Sequence, residues 1–117
     1  MSGHPPRVAD YLQHILDAIT KATEFAAEVE SSADLETTPL VQFALVRALE
    51  IIGEAANKIA KADANFIKQH PEIEWVGIRG LRNKVIHDYF EIDYELVWRV
   101  VKNDLPTLAR QIRAIQL

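Results

Sequence analysis

The chain has 117 residues, of which 49% are hydrophobic and 26% are charged, the composition of an ordinary globular protein. This length predicts a single domain over residues 1–117. The absence of cysteine excludes disulfides, thiolate nucleophiles and cysteine-ligated zinc, and makes the cytoplasm the expected compartment. The formal net charge of −4 disfavours a general nucleic-acid binder, so any contact with RNA would have to be local.

The hydropathy pattern gives no sign of a membrane or export segment. No apolar run approaches the roughly 18 residues that a membrane span needs, so we expect no membrane contact. Residues 1–6 lack the apolar centre of a signal peptide and predict a disordered segment before the first helix.

Apolar residues spaced by three or four positions predict two long helices, over residues 7–30 and 39–62. The polar stretch 31–38 predicts a loop between them, with Thr38 as the N-cap of the second helix. Gly53 interrupts that helix at a typical cost of about 1 kcal/mol against alanine, which indicates close approach of another helix. The predicted apolar face of the second helix comprises Leu40, Phe43, Ala44, Val46, Leu49, Ile52, Ala56 and Ile59. Its polar stripe comprises Arg47, Glu50, Glu54, Asn57, Lys58 and Lys61.

The second half of the chain predicts shorter helices. Asp63 is a candidate cap for a short helix over 63–70, which Pro71 ends. A helix over residues 75–87 follows. The period of the apolar residues then predicts a final helix that starts after Asp93, an N-cap candidate, and continues towards the C-terminus.

Pro106 lies inside the pattern of this final helix, so we expect a kink or a break near Asp104. Together these elements predict an all-α fold, an antiparallel bundle of four main helices plus a short extra helix.

A helical wheel of residues 75–89 separates an apolar face from a polar one. The apolar face holds Trp75, Ile78, Leu81, Val85 and Ile86. The polar face holds Arg79, Gly80, Asn83 and His87, beside Val76. Asn83 and His87 are four positions apart and would be neighbours on the helix surface. Gly80, one turn earlier, would let a second backbone of protein or RNA come close.

Arg82 falls at the edge of the apolar arc, where a cation needs a carboxylate or a phosphate as its partner. An ion pair with Glu50 or Glu54 and a direct phosphate contact are both open. Tyr89 would lie nearly above Arg82 if the helix persisted that far. On an ideal helix His87 and Arg82 would be about 140° apart. They could serve one phosphate only if the helix end distorts or a second subunit contributes.

The same segment carries a local positive charge. Positions 75–87 contain no acidic residue but three basic ones, Arg79, Arg82 and Lys84. Because affinity for a phosphate depends on nearby charge, this short basic window offsets the negative total. Arg79 and Lys84 are the candidates for a phosphate-binding rim.

The order of residues from Arg82 to Tyr89 resembles a known signature. Arginine, four residues, histidine, one residue and tyrosine is the pattern of the HEPN superfamily in the extended form of its HepT-type toxins. Residues 47–56 resemble that family's second helix, and 70–75 its lead-in to the motif. Residues 97–98 and 104–106 resemble its last helix, so that the resemblance covers most of residues 8–115.

The resemblance implies a toxin of a type VII-like toxin–antitoxin system, an endoribonuclease that needs neither metal nor other cofactor. It implies a homodimer in which two copies of the motif meet in a cleft across the two-fold axis. Arg82, Asn83 and His87 would be the catalytic residues. The implied partner is a minimal, MntA-type nucleotidyltransferase antitoxin, which would silence the toxin by transferring AMP to Tyr89.

The chemistry suits these residue types. RNA supplies its own nucleophile, the 2′-hydroxyl, so a catalyst needs a proton acceptor, a proton donor for the leaving oxygen and positive charge at the phosphate. A histidine moves protons near neutral pH, and an arginine donates two parallel hydrogen bonds to phosphate oxygens. Asn83 could orient His87 or the phosphate. A single histidine per motif would leave one proton role unfilled unless two chains combine.

Each of these residues also has a structural interpretation. His87 could interact with carbonyls at a helix end, Asn83 could cap a helix, and Tyr89 could be a half-buried aromatic residue. Arg79 and Lys84 could be solvated surface charges. The alternative functions are a HEPN module that binds a nucleotide or a nucleotidyltransferase without catalysis, and a purely structural bundle.

Overall fold

The computed structural model describes residues 7–115. The predicted disorder of residues 1–6 and the last two positions of the predicted final helix lie outside this range. In chain order the elements are α1 (Val8–Ala26), α2 (Ser32–Leu35), α3 (Pro39–Ala62), α4 (Ala64–Gln69), α5 (Trp75–Arg79), α6 (Leu81–Val85), β1 (Ile86–Asp88), β2 (Glu91–Ile92), α7 (Tyr94–Arg99), a π-helical segment (Val100–Asp104) and α8 (Leu105–Arg113). The all-α prediction is confirmed, with one small hairpin added.

The scaffold of the fold is the pair formed by α1 and α3, which share the most extensive helix contact in the described chain. On one flank of α3 lie α5 and α6, and α8 with the π-helical segment packs on α1. The core between them is apolar. Its largest fully buried side chains are Ile15, Leu35, Leu45, Leu49, Ile52, Ile59, Val85, Val97 and Leu105. Burial of this surface supplies most of the stability of such a domain.

The approach of α5 to α3 is close at Gly53, as the sequence predicts. A Cβ atom at this position would lie 3.2 Å from the carbonyl oxygen of Ile78. The glycine therefore lets the backbone of α5 rest directly on α3. This contact seats the segment that leads into the motif.

Helix caps follow the sequence in two of three cases. The carboxylate of Asp63 accepts a hydrogen bond from the Phe66 amide at 3.1 Å, and that of Asp93 accepts one from the Leu96 amide at 3.0 Å. Thr38 occupies the N-cap position of α3, but its hydroxyl donates to the Asp34 carbonyl at 2.7 Å instead of capping. Asp34 belongs to α2, which ends shortly before Thr38, so its carbonyl oxygen is within reach of the Thr38 hydroxyl.

The structure differs from the prediction in the segment 31–38 and at the end of α1. The segment 31–38 contains α2, which Ser31 caps and which buries Leu35 completely. Helix α1 ends at Ala26 rather than near residue 30. The polar composition of this segment predicts a loop, but the buried side chain of Leu35 stabilises a helical turn there.

The final helix is interrupted where Pro106 predicts. The amide of Leu105 donates to the carbonyl of Val100, five residues back, which is π-helical bonding. Helix α8 then begins with Pro106 in its first turn, where the missing amide hydrogen is not needed. The prediction of a break near Asp104 is confirmed in position, and the π-helical segment is the form it takes.

The predicted apolar face of α3 is wrong at its beginning. Leu40 and Phe43 are each 74% exposed, whereas Leu49, Ile52, Ala56 and Ile59 are buried as expected. The core reaches this end of the helix, since Val41 and Leu45 are buried. Leu40 and Phe43 are exposed because their positions lie on another side of α3. None of the described helices has the length and apolar character that crossing a bilayer would require.

Candidate active site

The segment that carries the motif is not one helix. A single helix over 75–87 and the resulting stripe of Arg79, Gly80, Asn83 and His87 are wrong predictions. Helix α5 stops at Arg79, and α6 starts after Gly80, whose φ of −96° and ψ of 7° leave the helical region. Helix α6 then ends at Val85, because Ile86 is extended with φ −105° and ψ 105°. The apolar side of the wheel is correct, since Trp75, Ile78, Leu81 and Val85 are buried.

A β-hairpin follows α6 directly. Ile86 pairs with Ile92 and Asp88 with Glu91, so that His87 is an extra residue on the first strand, a β-bulge. The amide of Asp93 donates to the Val85 carbonyl at 2.8 Å and closes the base of the hairpin. His87 is exposed at this bulge. The helix end therefore distorts, which is one of the two conditions for Arg82 and His87 to act on a single phosphate.

Arg82 is held by α3. Its Nε atom lies 3.6 Å from Oε2 of Glu50, which resolves the choice between Glu50 and Glu54 as its carboxylate partner. The Arg82 side chain is 59% exposed and that of Glu50 37%. A pair this open stabilises the fold by at most about 1 kcal/mol. Its effect is to fix the direction of a guanidinium that still has exposed donors for a phosphate.

Arg79 is also fixed by α3. Its Nε donates to Oδ1 of Asn57 at 2.7 Å. Asn57 belongs to the predicted polar stripe of α3, but no role was predicted for it. Two side chains of that stripe, Glu50 and Asn57, thus orient the two arginines that precede the hairpin. The helical spacing of seven between them is the signal that could have indicated this pairing.

Lys84 lies apart from the two arginines. It lines a cavity of about 330 Å³ between α5, α6 and the C-terminal helices, with Glu74 and Asp104 among the other lining residues. The structure therefore divides the predicted basic rim, with Arg79 beside α3 and Lys84 facing this separate cavity. Asn83, which lies between Arg82 and Lys84 in the sequence, is exposed on α6.

Tyr89 and Phe90 form the tip of the hairpin. They are 80% and 85% exposed, and their ring centroids lie 4.5 Å apart. The carboxylate of Asp88 accepts a hydrogen bond from the Tyr89 amide at 2.7 Å, which shapes the turn. Tyr11 and Tyr94 are half-buried, and burial raises the pKa of the Tyr94 phenol above its ordinary value. Tyr89 is thus the most exposed of the three tyrosines.

Along α6 and the hairpin, the motif presents three exposed polar groups: an oriented guanidinium at Arg82, an amide at Asn83 and an imidazole at His87. These groups can bind a phosphate diester and transfer a proton beside it. Over residues 7–115, no three histidine, aspartate or glutamate side chains lie together as metal ligands. A single chain supplies one histidine to the site.

Comparison with known proteins relates the chain to ribonucleases. A family model described as "Ribonuclease HepT-like" matches residues 15–115. A protein of Thermococcus cleftensis named "Probable ribonuclease HepT" is 42% identical over 99 residues, covering 85% of this chain and 86% of its own. A protein of Methanocaldococcus jannaschii, provisionally named an RNase, is 34% identical over 108 residues, covering 92% and 95%. A similarly named protein of Caldanaerobacter subterraneus is 35% identical over 105 residues, covering 90% of each chain. No solved structure gives a significant match to the chain.

Proposed function

This chain belongs to the ribonuclease HepT-like family, and we propose that it is an endoribonuclease whose active site contains Arg82, Asn83 and His87. The observation that carries the assignment is the bulge at His87. The bulge places an exposed imidazole on the hairpin instead of on the helix, in the segment that follows an arginine which Glu50 already orients. A histidine that only completed a helix end would have no need of this distortion.

The proposed reaction uses the 2′-hydroxyl of the RNA as nucleophile. A base removes the hydroxyl proton, the 2′-oxygen bonds to the adjacent phosphorus, and the bond from phosphorus to the 5′-oxygen breaks. The leaving 5′-oxygen takes up a proton from an acid. His87 fills one of the two proton roles, Arg82 binds the non-bridging oxygens of the pentavalent phosphate, and Asn83 donates to the phosphate or to the imidazole.

The second proton role is filled by a second copy of the chain. One imidazole cannot be both the base and the acid at two oxygens on opposite sides of phosphorus in one step. A homodimer whose two motifs share a cleft supplies both groups and two guanidinium groups. The proposed enzyme is therefore inactive as a monomer.

The proposed biological role is that of the toxin in a toxin–antitoxin pair, with a minimal nucleotidyltransferase as the antitoxin. In the inhibiting step the phenolic oxygen of Tyr89 attacks the α-phosphorus of ATP, AMP is transferred, and pyrophosphate leaves. The exposed position of Tyr89 at the hairpin tip supports this step, since the hydroxyl needs no rearrangement to enter another active site. The added nucleotide brings bulk and negative charge to the site where RNA phosphate would bind.

Cleavage of RNA by the purified protein in EDTA tests the central claim. Wild type should cut, and His87→Ala should lower the rate by at least about a hundredfold, the usual size of an acid–base contribution. The matched control is His14→Ala, an exposed histidine on α1 outside the motif, which should cut as fast as wild type. Equal rates for wild type and His87→Ala would remove His87 from the site. RNA or nucleotide binding without cleavage by wild type would favour a non-catalytic module instead.

The regulatory claim has its own readout. Incubation with the nucleotidyltransferase and ATP should raise the mass of the chain by one or more AMP units, and Tyr89→Phe should abolish the gain. Tyr11→Phe is the control, because Tyr11 is half-buried between helices. A mass gain that persists in Tyr89→Phe would assign the modification to another residue.

A further inference from the structure

Two aromatic side chains lie at the turn of the hairpin that follows the motif. The strands pair at Asp88 and Glu91, so Tyr89 and Phe90 are the two residues of the turn. Phe90 is 85% exposed, more than any of the other three phenylalanines of the chain. The ring of Tyr89 lies beside it, with 4.5 Å between the two centroids, and most of the Phe90 ring is open to solvent.

The turn itself does not require a phenylalanine. Two-residue hairpin turns favour glycine, asparagine and aspartate, which adopt positive φ angles readily. Within residues 7–115 no residue other than glycine has a positive φ angle, so this turn does not use that conformation. A phenylalanine side chain has no group that can hydrogen-bond to the turn, and this one lies outside the core. Neither turn chemistry nor burial therefore accounts for the ring of Phe90.

The tip of the hairpin is close to the residue proposed to transfer a proton. Phe90 follows His87 by three positions, which limits the distance between their Cα atoms to about 11 Å. The hydrogen bond from the Asp93 amide to the Val85 carbonyl closes the base of the hairpin, so both residues belong to one short folded unit. A phosphate bound beside His87 carries a nucleoside on each side. One of the two bases therefore comes within reach of the Phe90 ring.

The charges beside the tip favour a base over a phosphate. Asp88 and Glu91 flank the turn, and both are exposed. Two carboxylates repel the phosphate backbone of RNA, and they also disfavour an anionic membrane surface. Arg79 and Arg82, which attract phosphate, precede the hairpin in the chain. The phosphates of a bound strand therefore lie nearer the arginines, and the tip is suited to an uncharged flat group such as a base.

We propose that the ring of Phe90 stacks on a nucleobase next to the phosphate that is cut, and so holds the RNA strand in the active site. This inference rests on the proposed ribonuclease function for its substrate, and it adds a contact outside the motif. Every base has a flat face that an aromatic ring can cover, so the contact tolerates different sequences. A base inside a duplex is already stacked on both faces, so Phe90 contacts a base that is unpaired.

Binding of an RNA that cannot be cut measures this contact apart from catalysis. The probe is a short single-stranded RNA with a 2′-O-methyl group on every ribose, which removes the nucleophile. Phe90→Leu keeps an apolar side chain but loses the ring, and it should raise the dissociation constant about tenfold, as expected for one lost stacking contact. Phe90→Trp restores an aromatic face and should bind within about threefold of wild type. Phe25→Leu is the control, the same change on α1 at a ring that is 38% exposed, and it should bind like wild type.

A strand without bases shows whether a base is what Phe90 contacts. An abasic 2′-O-methyl oligomer of the same length keeps every phosphate. Wild type should bind it at least about tenfold more weakly than the RNA, because the stacking contact is lost. Phe90→Leu should bind the abasic oligomer as well as wild type does, since the two changes remove the same contact. The slope of the logarithm of the dissociation constant against that of the salt concentration should be equal in both proteins, because it counts phosphate contacts.

Two results would overturn the stacking contact: binding of the RNA by Phe90→Leu as tight as by wild type, or an equal loss on the RNA and on the abasic oligomer. A changed oligomeric state of Phe90→Leu in light scattering would assign the ring to a contact between proteins instead. Cleavage is measured separately on unmodified RNA, where Phe90→Leu should raise KM about tenfold and change kcat by less than about threefold. If the binding pattern holds but wild type cuts no RNA, the ribonuclease proposal is wrong and the stacking contact stands.

Discussion

Alanine substitutions at Gly53 and Gly77 should change the free energy of unfolding differently, because only Gly53 lies against the backbone of another helix. Alanine is favoured over glycine inside a helix by about 1 kcal/mol. At Gly77 the added Cβ would meet the end of a flexible side chain, Lys84 Nζ, at 3.4 Å. Gly77→Ala should therefore raise the free energy of unfolding by up to about 1 kcal/mol.

At Gly53 the same substitution meets backbone. The new Cβ would lie 3.2 Å from the Ile78 carbonyl oxygen and 3.8 Å from that of Arg79, so α5 has to move by a few tenths of an ångström. Overpacking of this kind costs about 1–3 kcal/mol, which cancels or exceeds the gain in helix propensity. Gly53→Ala should leave the free energy of unfolding unchanged or lower it by up to about 2 kcal/mol.

Urea denaturation followed by circular dichroism measures both variants on the same scale. Gly77→Ala should be the more stable of the two, by up to about 3 kcal/mol, and each 1 kcal/mol corresponds to roughly 4 °C in melting temperature for a domain of this size. The slope of the free energy against urea should stay the same, so that the difference lies in the folded state. If Gly53→Ala gains as much stability as Gly77→Ala, then α5 does not rest on α3 at this point, and the placement of the motif against Glu50 loses its basis.

Two further substitutions address the neighbours of the motif. Glu50→Ala should change the free energy of unfolding by at most about 1 kcal/mol, because the pair with Arg82 is open to solvent, yet it should lower RNA cleavage several-fold as Arg82 loses its orientation. Glu54→Ala is the control, because Glu54 lies one turn away on α3 and has no ion pair among the described residues. Both variants are assayed above the dimer dissociation constant. An equal loss of RNA cleavage in the two variants would contradict a role of Glu50 in orienting Arg82. Asp93→Ala removes the cap of α7 at the base of the hairpin and should cost about 1 kcal/mol in urea denaturation. An unchanged midpoint would show that the Asp93 carboxylate does not stabilise α7.

Local chemistry in the sequence accounts for much of the fold. The bounds predicted for α3 are those observed, since a proline in the first turn and a long 3.6-residue period act within the helix itself. The caps at Asp63 and Asp93 need only the amide three residues ahead. The break near Pro106 follows from a missing amide hydrogen. Each of these features depends on neighbours in the chain and not on the rest of the fold.

The predictions that are wrong concern features set by contacts between segments that are distant in the sequence. Ile86 continues the apolar period of α6, so a wheel extends the helix to His87. The chain leaves the helix because Asp93 and Ile92 return to pair with Val85 and Ile86. Leu40 and Phe43 were assigned to the apolar face of α3, yet the buried residues around them, Val41 and Leu45, lie on another side of the helix. Apolar spacing alone does not show which side of a helix the rest of the chain covers.

The sequence by itself determined the helical class, the caps at Asp63 and Asp93 and the residue types that point to a phosphate-binding motif, because these depend on composition and on short-range order. Only the tertiary structure decided that His87 stands on a bulge, that Glu50 rather than Glu54 holds Arg82, and that Lys84 faces a separate cavity. The physical reason is that pairing between segments distant in the chain depends on how the backbones pack. The break in the helix at Gly80 and the close approach of α5 to α3 at Gly53 set the direction of the motif. The backbone angles at Gly80 and the distance between the two helices do not follow from the local sequence pattern.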